Sequence, residues 1–342
     1  LPQKNKPIRK EKTNDPAMQT YNKNNELSQT EDSPVDMGKA PVRNLAKTEQ
    51  ALIATATTQA TAWLAKFGKT GKGIFIIDAG HGGIDQPSSA PPNDYATARS
   101  PIFGKFFDHA QKDEKGKPII KNGKRVLQMH ESKPAEFHHN GFFYEGVENR
   151  EYSFVLRAAF APLIDKGEIA IINSHHPIID NSLQNRVNIA NAIFDQVQAY
   201  NRANKTKLFV HFHSLHFNAA SNTSAQGNCI FTSVGQTKSD EIAQAILKKR
   251  LLVFPAWREE RLTGVRLKID DGDFDHEENF FVLRQTKPTA NLEENGFFVN
   301  YPETCLIHYS ADYKQRVILS TAHGLAEYFG LSANLLPPLP TR

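Results

Sequence analysis

The sequence predicts an α/β domain: a twisted, mostly parallel sheet flanked by helices on both faces, with a long insertion after the first strand. Two observations carry this. Short apolar runs at 74–77 and 169–172 have the length and texture of strands buried on both faces, and 208–215 reads as a third strand. Segments with apolar residues at helical spacing alternate with them, and strand–helix–strand alternation places successive strands parallel.

Residues 1–45 are rich in Lys, Asn, Gln, Thr, Asp and Pro and poor in large apolar side chains, so they read as a flexible tail or linker. Residues 46–72 form an N-terminal helix and turn. Leu52, Ile53, Ala56, Ala60, Trp63, Leu64 and Phe67 make one helical stripe. The Gly-Lys-Thr-Gly-Lys-Gly stretch from Gly68 to Gly73 is a turn and not a phosphate loop, because no strand precedes it and the spacing is wrong.

The main domain spans 73–331. Its first strand, 74–77, runs into Asp78-Ala79-Gly80-His81-Gly82-Gly83. A polar insertion follows at about 86–140, with Asn122-Gly123 as a hairpin turn between 118–120 and 125–127. A helix over 151–164 carries Tyr152, Val155, Leu156, Ala159 and Leu163 on one stripe. The strand 169–172 comes next, then a helix over 182–200 with Ser182 as N-cap. Strands at 208–215 and 229–232, a helix over 239–252, strands at 280–283 and 289–292 and a helix over 317–329 complete the domain. Residues 332–342 are a Pro-rich C-terminal tail.

Composition excludes several classes. Of 342 residues, 39% are hydrophobic and 41 basic side chains nearly balance 37 acidic ones, so the net charge of +4 does not argue for nucleic acid. No run approaches the roughly 18 apolar residues of a membrane span. Two cysteines, Cys229 and Cys305, are too few for a disulfide scaffold or a cysteine zinc finger. The chain starts at Leu1 with no basic-then-apolar leader, so no signal peptide is expected in these residues.

Ligands of an open α/β sheet bind beyond the carboxyl ends of its strands. There the first strand presents His81, the third Ser214 and His216, and the 289–292 run Glu293 and Glu294. Glu145, Glu148 and Glu151 lead into the helix after the insertion. Histidine and glutamate are donors of catalytic zinc, which keeps one position open for water. Gly80, Gly82 and Gly83 let the chain turn sharply at His81. His211 and His213 share one face of their strand and His216 takes the other, so the first two are expected to pack under helices. His175 and His176, just past a strand, could line the site.

At this point the residues resemble the zinc-dependent N-acetylmuramoyl-L-alanine amidases of the Amidase_3 type. Six motifs follow in family order: the Asp78–Asp85 opening; Glu145 with Asn149; Leu183 and Arg186 with Ala190-Asn191; Ser214-Leu-His216-Phe-Asn218; Gly227; and Glu294-Asn-Gly296-Phe297 with Asn300 behind it. The resemblance implies zinc bound by His81, Glu145 and His216, with Glu294 as general base and acid. Its register selects Glu145 over Glu148 and Glu151, and Glu294 over Glu293. Asn218 and Arg284 are candidate substrate contacts, and Asp78 and Asp85 either support the ligands or serve the turn. The implied reaction hydrolyses the amide between N-acetylmuramic acid and the L-alanine of the stem peptide. Peptidoglycan is the implied partner, and the cell envelope, or a phage particle, the implied location. The N-terminal tail is a possible attachment to a protein partner. The insertion departs from the family's short loop and reads as a flap or wall of the substrate groove, or as an inhibitory element.

Overall fold

The computed structural model describes residues 45–82, 106–177, 180–256, 264–268 and 272–341. The 1–44 segment, Gly83, Asp85 and the first part of the insertion lie outside the described residues. Helix α1 (Leu45–Phe67) packs its Ala56, Ala60, Trp63 and Leu64 inward, as its spacing predicts. It leads through a turn to β1 (Gly73–Ala79), in which every residue is buried. Alternate side chains of β1 enter two different cores: Ile74 and Ile76 one, Phe75 and Ile77 the other. A strand that feeds two cores has no polar face, hence the continuous apolar run.

The described part of the insertion is a set of short antiparallel ladders: β2 (Phe106–Asp108), β3 (Ile120–Lys121), β4 (Lys124–Arg125), β5 (Met129–His130), β6 (Lys133–Pro134) and β7 (Phe142–Tyr144), paired 2–7, 3–4 and 5–6. Asn122 and Gly123 both have positive φ, 51° and 73°, as the primed two-residue turn requires. This part is built into the domain, since Ala135 and Phe137 are buried in the core beneath it.

Helix α2 (Glu145–Ala159) follows β7 directly. It starts six residues earlier than its apolar stripe predicts, because its first turn is glutamate-rich yet buried. Phe160 and Pro162 then break the helix from α3 (Ala161–Asp165). Next come β8 (Ile169–Asn173), α4 (Leu183–Asn204), β9 (Phe209–Asn218), β10 (Cys229–Thr232), α5 (Lys238–Val253) and β11 (His276–Glu277). Ser182 caps α4, its Oγ accepting from Asn185 N at 3.2 Å. Residues 281–285 form helix α6 (Phe281–Gln285), not the strand the apolar run suggested. The four-residue apolar run at 280–283 carries no period that separates the two. Then β12 (Thr289–Phe297), α7 (Tyr301–Tyr309) and α8 (Ala311–Tyr328) close the domain.

The main sheet has the order β11-β10-β12-β9-β1-β8. The pairs β8–β1, β1–β9 and β9–β12 are parallel; β10 runs antiparallel to β12, and β11 parallel to β10. Helices α1 and α4 pack on each other over one face, and α2, α5 and α8 over the other. The C-terminal residues lie along the domain, with Leu336 buried in the larger core. Among the described residues no helix is long and apolar enough to cross a membrane.

Candidate metal centre

Three parallel strands deliver the site. At the end of β1, His81 takes φ +59°, a left-handed conformation that a non-glycine residue adopts only when its surroundings hold it there. Asp78, three residues earlier, anchors the turn from below. Its Oδ1 accepts from Arg186 Nη1 at 2.5 Å and Ser174 Oγ at 2.7 Å, and its Oδ2 from Ser214 Oγ at 2.8 Å. Burial alone would raise this carboxyl; Arg186 and the two hydroxyls outweigh it and hold Asp78 at about 2. Arg186 thus secures the strand end from below, and it also donates to Ala79 O at 3.1 Å.

Glu145 is the first residue of α2, and the helix start delivers it to the strand edge. Its Oε1 lies 3.1 Å from His216 Nδ1 and accepts from Phe217 N at 3.1 Å, while Oε2 lies 3.4 Å from His81 Nε2. One turn on, Asn149 Nδ2 donates to Gly80 O at 3.1 Å, tying the helix to the β1 turn. Two glycines make the approach possible. A Cβ on Gly80 would lie 2.1 Å from His216 Cε1, and one on Gly146 would lie 2.0 Å from Gly82 O. A side chain at Gly80 would have to displace the His216 ring, and one at Gly146 the Gly82 backbone.

His216 leaves β9 on the face opposite His211 and His213. Its register partner on β12 is Glu294, which puts that carboxylate on the same sheet face beside it; Cys229, buried and in no disulfide, is Glu294's partner on β10. Burial opposes charge on the His216 ring, and the Glu145 carboxylate beside it raises its pKa on balance.

The structure separates the competing residues. Glu293 points to the opposite face, where Arg250 Nη2 lies 3.0 Å and His213 Nε2 3.3 Å away. His211 contacts Thr289 Oγ1 at 3.0 Å and packs on Phe75 and Phe329. His175 Nδ1 accepts from Ala79 N at 3.0 Å, so it supports the β1 end from behind. Glu148 faces His138 at 3.2 Å, His308 at 2.8 Å and Lys314 at 3.2 Å. His138 Nδ1 accepts from Tyr144 N, which places the ring proton on Nε2 toward Glu148, so His138 is a neutral hydrogen-bond donor here and Lys314 supplies the charge opposite Glu148. Glu151 pairs with Lys314. Asn218, two residues beyond His216 on the same face, is buried, and its Oδ1 has no hydrogen-bond partner.

Arg284 is not brought to the others. It lies in α6, ahead of Thr289, where β12 begins at His211, whereas the site is at the other end of that strand by Glu294 and His216. Sequence reading missed α7. Its Glu303, buried, accepts from Gly227 N at 2.8 Å and Phe297 N at 2.8 Å and so pins the end of β12 behind Glu294. The Asn300-x-x-Glu303 spacing of a helix start was the available signal.

Donor atoms of His81, Glu145 and His216 all lie within 4.8 Å of one another. Two ligand atoms about 2.1 Å from one tetrahedral ion lie about 3.4 Å apart, and the two imidazoles approach the Glu145 carboxylate to 3.1 and 3.4 Å, each at a different oxygen. Two imidazoles and a carboxylate therefore suit a zinc ion in donor type and in spacing.

The sequence profile described as N-acetylmuramoyl-L-alanine amidase matches residues 75–327. The chain belongs to this amidase family. Similar solved structures include the N-acetylmuramoyl-L-alanine amidase of Clostridium difficile 630, with 19% identity, a TM-score of 0.44 and coverage of 77% of this chain and 100% of that one. The catalytic domain of CwlV from Bacillus (Paenibacillus) polymyxa var. colistinus has 17% identity and a TM-score of 0.41, covering 76% and 99%. Ami1 from Mycobacterium smegmatis has 14% identity and a TM-score of 0.42, covering 76% and 98%. No curated protein matches the chain. Within this amidase-family domain the three clustered donors and Glu294 occupy one edge of the sheet.

Proposed function

We propose that the chain is a zinc-dependent peptidoglycan amidase that hydrolyses the amide between N-acetylmuramic acid and the L-alanine of the stem peptide. The observation that supports this most is the convergence of His81, Glu145 and His216, from three distant segments, beside Glu294. In this reading the three hold zinc. Bound zinc lowers the pKa of water to about 7 and polarises a carbonyl oxygen.

The chain's own groups do the rest. Glu294 takes a proton from the attacking water and passes it to the departing alanine nitrogen. Its position beside His216 on one sheet face brings it to the same reacting group. The Asp78–Arg186 pair and Asn149 hold the His81 turn so that its imidazole need not reorganise. Asn218, with an open Oδ1 on the same face, is placed to accept from a substrate amide. The envelope is the site of action in this reading, and residues 106–140 form a fixed wall beside the ligand edge, because their Ala135 and Phe137 are part of the core.

The test combines metal analysis with mass spectrometry of digested peptidoglycan. Wild-type protein should carry one zinc and release free stem peptides from intact glycan strands. Glu294→Gln should keep the zinc and lose roughly 10²–10⁴-fold in turnover. Normal turnover by that variant rejects the role given to Glu294; products cut in the glycan or within the peptide reject the substrate bond.

A further inference from the structure

A second group of acids sits at the other edge of the sheet. Because β10 runs antiparallel to β12, its carboxyl end at Thr232 lies at the edge opposite His81 and His216. There Asp240, in the first turn of α5, meets Asp273 and Asp275, which lead into the edge strand β11. All three are buried, at 3%, 6% and 0% exposure. A carboxylate oxygen from each lies within 4.8 Å of the other two.

Each carboxylate gives one oxygen to the protein and keeps the other. Asp240 Oδ2 accepts from Thr237 N, Asp273 Oδ2 from Gln236 Nε2 at 3.0 Å, and Asp275 Oδ2 from Thr232 Oγ1 at 2.6 Å. The three Oδ1 atoms are buried and have no hydrogen-bond partner. Among the described residues no Lys, Arg or His pairs with any of the three. Buried carboxylates are ordinarily paired or coordinated to a metal, because isolated charge in the interior is costly. Burial, opposed by the Thr232 hydroxyl, acts with repulsion from Asp273 and Asp240 and a carboxyl–carboxyl contact with Asp273 to push Asp275 up to about 7, the response of a cluster that lacks a positive partner.

We infer that Asp240, Asp273 and Asp275 form a binding site for a hard divalent cation, calcium by its ligand chemistry. The open donors are all carboxylate oxygens, with neither nitrogen nor sulfur among them, which sets the site apart from one built for zinc. Three carboxylates converging from the protein suit calcium, which takes six to eight oxygens. Magnesium typically uses one or two carboxylates and keeps its waters. The bound ion joins the start of α5 to the chain entering β11, a two-residue strand held to the sheet only through β10. Its role is to secure that edge; it is independent of the centre at His81.

The test uses the full chain, stripped of metal and reloaded with one equivalent of zinc, and titrated with CaCl2 by calorimetry and thermal denaturation. One calcium per chain is expected, with Kd between about 10⁻⁵ and 10⁻³ M. At a hundredfold excess over Kd, Tm should rise by roughly 5 °C. Asp275→Asn, which keeps the size and the Thr232 contact, should weaken calcium binding at least tenfold and erase the rise; Asp273→Asn serves if that variant does not fold. A His81→Ala/His216→Ala variant should bind calcium normally, which separates this site from the proposed zinc centre. The inference is overturned if about 10 mM calcium gives neither heat nor a Tm rise in the wild type, as when the three acids share a proton instead. It is also overturned if the calcium response survives unchanged in Asp275→Asn. Equal or tighter binding of MgCl2 overturns the assignment to calcium.

Discussion

Arg250 is fully buried and donates to five groups: Glu293 Oε2 at 3.0 Å, Thr321 Oγ1 at 2.6 Å, Ser320 Oγ at 2.9 Å, Val317 O at 3.0 Å and Asn295 Oδ1 at 3.2 Å. Replacing it with Met leaves the Glu293 carboxylate buried without its main counter-charge. Removing one partner of a buried ion pair costs about 3–5 kcal/mol. A second route gives a similar size. Burial would raise Glu293, yet Arg250 and His213 bring it from 4.5 to about 2, which corresponds to roughly 3 kcal/mol at about 1.4 kcal/mol per pH unit. The sign follows from linkage. A carboxyl depressed on folding adds stability that is complete above pH 4.5 and is lost as pH falls toward about 2. Urea denaturation of zinc-loaded protein at pH 7 should therefore show Arg250→Met destabilised by about 3–5 kcal/mol. Glu293→Gln should lose its own share of the stability gain that wild type shows between about pH 2 and 4.5, while Asp78 and Glu148, also held at about 2, keep theirs. The double variant Arg250→Met/Glu293→Met should recover a large share of the loss, because no unpaired charge remains. A loss below about 1 kcal/mol in Arg250→Met, or a double variant worse than the sum of the singles, would refute the reasoning.

Three further outcomes are expected. Gly80→Ala should lower zinc affinity at least tenfold by equilibrium dialysis while the fold survives, since its methyl would sit 2.1 Å from His216 Cε1 and must displace that ring. Asn149→Ala removes the bond to Gly80 O and should weaken zinc binding or turnover by roughly 10–100-fold, checked by dialysis and by peptide release from purified cell walls. Phe137→Ala should cost about 3–5 kcal/mol and keep one unfolding transition in calorimetry, because the described part of the insertion shares the main core; two transitions would show it to be a separate unit.

What could be read from the sequence were features whose cause is local. The Ile74–Ile77 run shows a strand buried on both faces; Ser182 marks the start of α4; Asn122-Gly123 marks a primed turn. The His81, Glu145 and His216 grouping was also legible, through ordered motifs, each weak by itself. Elsewhere the decisive contacts came from far along the chain. The helix was expected only from Glu151, because the contacts that let Glu148 be buried come from His138, His308 and Lys314, the last 166 residues away. The run at 280–283 carried too few residues for a period, and α6 formed where a strand was expected. Arg284 was a candidate substrate contact by the resemblance, yet the part of β12 from Thr289 to Glu294 separates it from that carboxylate. The acids at Asp240, Asp273 and Asp275 come from two separate segments, and nothing in either predicts the other.

Glu293 and Glu294 give β12 two obligations on consecutive residues. One carboxylate is locked into Arg250 beneath α5 and α8, and the other stands beside His216 on the reverse side. A single amino acid gained or lost inside β12 between Thr289 and this pair, with the start of the strand held in register, would exchange their destinations, stranding Arg250 and taking the carboxylate away from His216 together. Length change within that stretch of the strand thus fails on both faces at once.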